Sequence, residues 1–120
     1  MTKKILIIDD DPEIVELAKS RLVANHYQVV TTFSGAEGLK QVELEKPDLI
    51  LVDIKMPQVE GYTFVRELKK TELGRNIPVI VCTAYAHMKD LFAVEGIADY
   101  IVKPFKDEDF VAAVKRHLKQ

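Results

Sequence analysis

The chain has 120 residues, a formal net charge of −2 and a composition that is 48% hydrophobic and 30% charged. Those values suit one globular domain long enough to bury most of its apolar surface, and the slight negative charge supplies no broad attraction to nucleic acid or to an anionic membrane. One cysteine, Cys82, excludes an internal disulfide framework, and no apolar run approaches the ~20 residues of a membrane span.

Cys82 lies in "IPVIVCTA" and reads as a buried small apolar residue in a reducing compartment. The opening "MTKK" passes directly into strand-like sequence without the pattern of a signal peptide. The expectation is a single cytoplasmic domain over residues 1–120.

"KILIID" reads as a strand whose continuous apolar run suits a sheet covered on both faces. "DPEIVELAKSRLVANH" reads as a helix with Asp11 as N-cap, Pro12 at the first helical position, and Ile14, Leu17, Ala18 and Leu22 on its apolar face. "YQVVTTF" is a β-branched second strand. "SGAEGLKQVELEK" is a second helix, with Ser34 and Glu37 at capping-box spacing and Pro47 just past its end. "PDLILVDI" is a third strand that runs apolar until it meets Asp53.

The turn-rich "KMPQVEG" precedes a third helix, "YTFVRELKKTE", with Phe64, Val65 and Leu68 inward. "IPVIVCTA" is a fourth strand, and "MKDLFAVEG" a short fourth helix closed by Gly96. "DYIVKPF" is a fifth strand, followed by "KDEDFVAAVKRHLK", a helix that turns Phe110, Val111, Val114 and Leu118 inward. His26, His87 and His117 read as solvated surface residues.

Strict alternation of strand and helix implies a parallel sheet with helices on both faces, because each parallel connection requires a crossover. Functional groups in such sheets gather outside the carboxyl ends of the strands. Those ends carry Asp9 and Asp10, Asp53, Thr83 and Lys103. Carboxylates at about 4 Å repel by roughly 4 kcal/mol at an effective dielectric near 20, so the run Asp9, Asp10, Asp11 asks for a compensating cation. Three carboxylates and one lysine leave −2, which one divalent ion neutralises. Oxygen ligands without His or Cys suit Mg²⁺ and argue against zinc; Mn²⁺ accepts the same ligands. An ammonium and a hydroxyl beside such a metal suit a phosphoryl group.

With these residues in place, the sequence resembles the receiver domain of two-component response regulators. The resemblance is carried by "ILIIDDDPE", "DLILVDIKMPQVEGY", "IPVIVCTA" and "DYIVKPF", and runs over residues 3–118. It implies a flavodoxin-like (βα)5 fold with a five-stranded parallel sheet of order 2-1-3-4-5. It implies Asp53 as phosphoacceptor, taking a phosphoryl group from a histidine kinase or a histidine phosphotransfer protein. Asp10, Asp53 and the backbone carbonyl of Lys55 would hold Mg²⁺ directly, and Asp9 through water, while Asp11 matches no ligand and stays an N-cap.

Lys103 would hold a phosphoryl oxygen, Thr83 would turn its hydroxyl onto the phosphoryl group, and Tyr100 would follow by rotating inward. The bond between Lys103 and Pro104 is expected to be cis. Ala84 leaves room for the phosphodonor, while Lys55 and Tyr85 are placed to set the lifetime of the phosphorylated state. Output would pass through the surface of the fourth helix, fifth strand and fifth helix to a partner protein, from a monomer or a phosphorylation-dependent dimer. The stretch 83–103 is about two residues shorter than is common in the family, which would shorten or move the fourth helix.

An excised receiver of a longer DNA-binding regulator or hybrid kinase is the alternative within the family. From other classes come a small Mg²⁺-dependent phosphatase, which would need a cap that no loop here is long enough to form, and a pure interaction domain with a vestigial pocket. The latter would have replaced a pocket residue, and all are present. No basic–aromatic stripe or Gly-rich phosphate loop points to direct nucleic-acid binding.

Overall fold

The computed structural model describes residues 2–9, 11–54, 58–83, 97–102 and 107–118. The strands are β1 (Lys4–Ile8), β2 (Gln28–Thr32), β3 (Leu49–Ile54), β4 (Val79–Thr83) and β5 (Asp99–Val102). They pair in parallel in the order β2-β1-β3-β4-β5, the order that the family resemblance implied. Helices α1 (Pro12–Ala24), α2 (Gly35–Glu45), α3 (Gln58–Lys69), the single turn α4 (Glu72–Arg75) and α5 (Asp107–His117) alternate with them. The helix expected over 88–96, with Gly96 and His87, lies outside the described residues. Among the described residues no helix is long and apolar enough to cross a membrane.

The continuous apolar runs are explained by two separate cores, because successive strand residues point to opposite faces. Leu6, Ile8, Ile50, Val52, Val79 and Val81 face one core with Val42 of α2 and Phe64, Val65 and Leu68 of α3. Ile5, Ile7, Leu49, Leu51, Ile80 and Cys82 face the other with Val15 and Leu22 of α1 and Phe110, Ala113 and Val114 of α5. Strict alternation along β1 thus feeds both layers from one strand.

Helix starts follow their caps. Asp11 is extended (φ −102°, ψ 108°) and its carboxylate accepts the Glu13 N–H at 3.0 Å, with Pro12 at the first helical position. Ser34 accepts the Glu37 N–H at 3.2 Å to open α2. That helix stops at Lys46, whose left-handed φ of 47° ends the α conformation immediately before Pro47.

Several expectations are corrected. On α1 the inward residue is Val15, 3% exposed, and not Leu17, which is 55% exposed. At ~100° per residue these two lie roughly 200° apart around the helix, so one excludes the other from the core. Helix α3 opens at Gln58, inside the stretch read as a turn, and ends at Lys69 rather than Glu72. Gly61 costs about 1 kcal/mol against alanine in a helix, which burial of Phe64, Val65 and Leu68 outweighs. At the other end the Thr71 hydroxyl donates to the Leu68 carbonyl (2.8 Å) and accepts the Gly74 N–H (2.9 Å), ending α3 and starting α4. His117 is half-buried, unlike the exposed His26.

Candidate functional site

The start of the sheet sets what emerges at its far edge. Asp48 accepts the Lys4 N–H through its carboxylate (2.8 Å) and donates its own N–H to the Lys4 carbonyl (2.7 Å). Lys4 Nζ also lies 2.9 Å from Glu45 Oε1. From this clamp β1 and β3 run in register through Ile8 and Val52. The next residues are Asp9 and Asp53, each five past its clamp residue (9 − 4 and 53 − 48). The two carboxylate-bearing residues therefore leave neighbouring strands at the same level.

Asp9 is buried, 2% exposed. Its N–H donates to the Thr32 carbonyl at the end of β2 (3.2 Å), and its Oδ1 accepts the Asp11 N–H (3.0 Å). Thr32 is itself buried and donates its hydroxyl to the Ser34 carbonyl at 3.4 Å. One corner thus joins the end of β1, the end of β2 and the first turns of α1 and α2.

Asp53, Thr83 and Tyr100 are placed by their backbones. Asp53 pairs with Cys82, and Thr83 with Ile54 and Val102, so Thr83 emerges one residue beyond the level of Asp53 on the adjacent strand. Tyr100 pairs with Val81, two residues deeper in the sheet than Thr83. The structure therefore brings Asp9, Asp53 and Thr83 to one sheet edge. Asp10, Lys55, Ala84, Tyr85, Lys103 and Pro104 lie outside the described residues.

Sequence reasoning did not reach two features. Buried Thr32 was not among the candidate residues, yet its carbonyl anchors Asp9. Cys82, buried as expected, is the register neighbour of Asp53. Counting back from the two strand ends, "VD" on β3 and "CT" on β4, would have found that pairing.

A buried carboxylate, level with a second carboxylate-bearing strand end, is a hard-oxygen donor set of the kind Mg²⁺ takes. Among the described residues no three His, Cys, Asp or Glu groups come together.

The sequence profile of the response regulator receiver domain family matches residues 5–115. This chain belongs to that family. The receiver is 37% identical over 122 residues to the alkaline phosphatase synthesis transcriptional regulatory protein PhoP of Bacillus subtilis, a match covering 100% of this chain and 50% of that protein. The chain spans about half the length of the first curated relatives it matches. Among solved structures it resembles the receiver domain of the sensor histidine kinase PA1611 of Pseudomonas aeruginosa, which has a magnesium ion in its active-site cleft (29% identity, TM-score 0.88, 100% of both chains). It also resembles the BeF3-activated N-terminal receiver domain of Klebsiella pneumoniae RstA, with 30% identity, a TM-score of 0.88, and coverage of 98% of this chain and 100% of that one. The receiver's fold is thus the flavodoxin-like α/β architecture of its relatives.

Proposed function

We propose that this receiver is a phosphorylation-operated signalling switch in which Asp53 accepts a phosphoryl group. The observation that carries the reading is the level emergence of Asp9 and Asp53 from β1 and β3, with Thr83 one step further on β4. An Asp53 carboxylate oxygen attacks phosphorus of a phosphohistidine on a kinase or phosphotransfer protein. The P–N bond breaks, its electron pair stays on the imidazole nitrogen, and that nitrogen takes a proton.

Asp10, Asp53 and the Lys55 carbonyl would hold Mg²⁺, and Asp9 would act through water. When bound, the ion offsets the charge that gathers on the phosphoryl oxygens. Thr83 and Lys103 donate to those oxygens, and Ala84 keeps the approach open. The acyl phosphate carries about one more negative charge than the carboxylate, so these donors favour the phosphorylated state. Recruitment of Thr83 lets Tyr100 turn inward, changing the surface that a partner reads. The relation to PhoP, of which this chain spans 50%, supports an attached output domain as a second route for the signal.

The test is incubation with phosphoramidate, a small P–N donor, in the presence of Mg²⁺. The expected product is one protein-bound phosphoryl group that hydroxylamine removes, as it does acyl phosphates. Label that resists hydroxylamine, or that forms equally without Mg²⁺, would contradict the assignment.

A further inference from the structure

We infer that Asp11, which matches no metal ligand, is a positioning residue for the cation site, acting through its helix-capping bond and not through its charge alone. The inference rests on the functional reading above and concerns how that site is held in shape. Three linked bonds carry it. The Asp11 carboxylate accepts the Glu13 N–H at 3.0 Å, the Asp11 carbonyl accepts the Val15 N–H at 3.0 Å, and the Asp11 N–H donates to Asp9 Oδ1 at 3.0 Å.

Capping requires a non-helical backbone at the cap residue, and Asp11 meets this with φ −102° and ψ 108°. The same extended conformation aims its N–H back at the buried Asp9 carboxylate. One backbone setting therefore serves two groups, the first turn of α1 and the rotamer of Asp9. Asp9 is 2% exposed, so solvent cannot replace a lost N–H partner cheaply. Its backbone N–H is held by Thr32, whereas the Asp11 N–H bonds the carboxylate itself and so acts on its orientation. Partners that orient metal-binding groups from outside typically change affinity by 10–100-fold when lost, and a group acting through water belongs at the lower end.

Charge and cap can be separated, because asparagine and serine cap helices without carrying charge. The experiment is a Mg²⁺ titration of the unaltered protein, Asp11→Asn, Asp11→Ser and Asp11→Ala, read by isothermal titration calorimetry, with circular dichroism checking that each is folded. Asp11→Asn and Asp11→Ala lose the same charge, so the gap between them reports the cap. Asp11→Ala is expected to bind Mg²⁺ about tenfold more weakly than Asp11→Asn, with Asp11→Ser close to Asp11→Asn. The gap between Asp11→Asn and Asp11→Ala should persist at high salt, whereas the gap between the unaltered protein and Asp11→Asn should shrink. Equal affinity of Asp11→Asn and Asp11→Ala overturns the positioning role while leaving the functional reading intact. No Mg²⁺ binding by the unaltered protein overturns both.

Discussion

Gly38 of α2 sits directly on Ile8 of β1: a Cβ at residue 38 would lie 2.5 Å from Ile8 Cδ1 and 3.1 Å from Phe64 Cε1. Ile8 immediately precedes the buried Asp9, so the close approach of α2 presses on the strand end that carries the site. Gly38→Ala gains about 1 kcal/mol of helix propensity and incurs about 1–3 kcal/mol of overpacking. The neighbour is the flexible end of an isoleucine, which gives way in part, so a net loss of about 1 kcal/mol is expected. Urea unfolding should show a lower midpoint at unchanged slope.

The two faces of α1 differ sharply. Val15→Ala removes two buried methyl groups and opens a cavity in the core shared with α5, at an expected cost of about 2 kcal/mol. Leu17→Ala removes a larger side chain that is 55% exposed and should stay within about 0.5 kcal/mol. Equal losses by denaturant titration would return Leu17 to the core.

Two groups give opposite alkaline dependences. Burial lowers the pKa of Lys69, whose Nζ donates to the Gly74 and Ile77 carbonyls at 3.1 and 2.9 Å. Between its folded value and 10.5 the unfolded chain holds more protons, so this contribution to stability rises with pH, is complete above 10.5, and is lost as pH falls through the folded value. Burial raises Tyr27 above 10.0, so its contribution is complete below 10.0 and is lost as pH rises through the folded value. Unfolding measured from about pH 9 to 11 should fall less steeply with pH in Tyr27→Phe and lose its rising component in Lys69→Met. The slopes are compared, because Lys69→Met also lowers the baseline by removing two hydrogen bonds.

Mg²⁺ should stabilise the folded chain by mass action. At one hundred times its dissociation constant the expected gain is about 2.7 kcal/mol, reversed by chelator. Asp53→Asn removes a proposed ligand and should reduce that gain at the same Mg²⁺ concentration. Identical Mg²⁺-dependent shifts in melting temperature for the two proteins would remove Asp53 from the ligand set.

Much of this molecule was legible in its residues, for identifiable reasons. The runs around Ile5–Ile8 and Leu49–Val52 are apolar on every residue because both sheet faces are covered, and their strict alternation with helices implied a parallel sheet. Asp11 with Pro12, and Ser34 with Glu37, announced helix starts because capping chemistry is local. The fourth turn, Glu72–Arg75, was hidden because it depends on Thr71 bonding back to Leu68 and on Lys69 holding two later carbonyls. Leu17 was misassigned because hydrophobicity marks several residues of α1, while the direction of the core is set by the sheet and by α5, which pack against it in the folded chain. At the site the strand-end acids were evident, but the level placement of Asp9 and Asp53 required the pairing of Lys4 with Asp48.

The central claim is that Asp53 is the phosphoacceptor and needs Mg²⁺. Intact mass after incubation with acetyl phosphate and Mg²⁺, beside Asp53→Asn and a chelated control, tests it most directly. The expected result is a gain of one phosphoryl mass by the unaltered protein with Mg²⁺, and no gain in either control. A gain that survives Asp53→Asn would place the phosphoryl group on another residue and contradict the account.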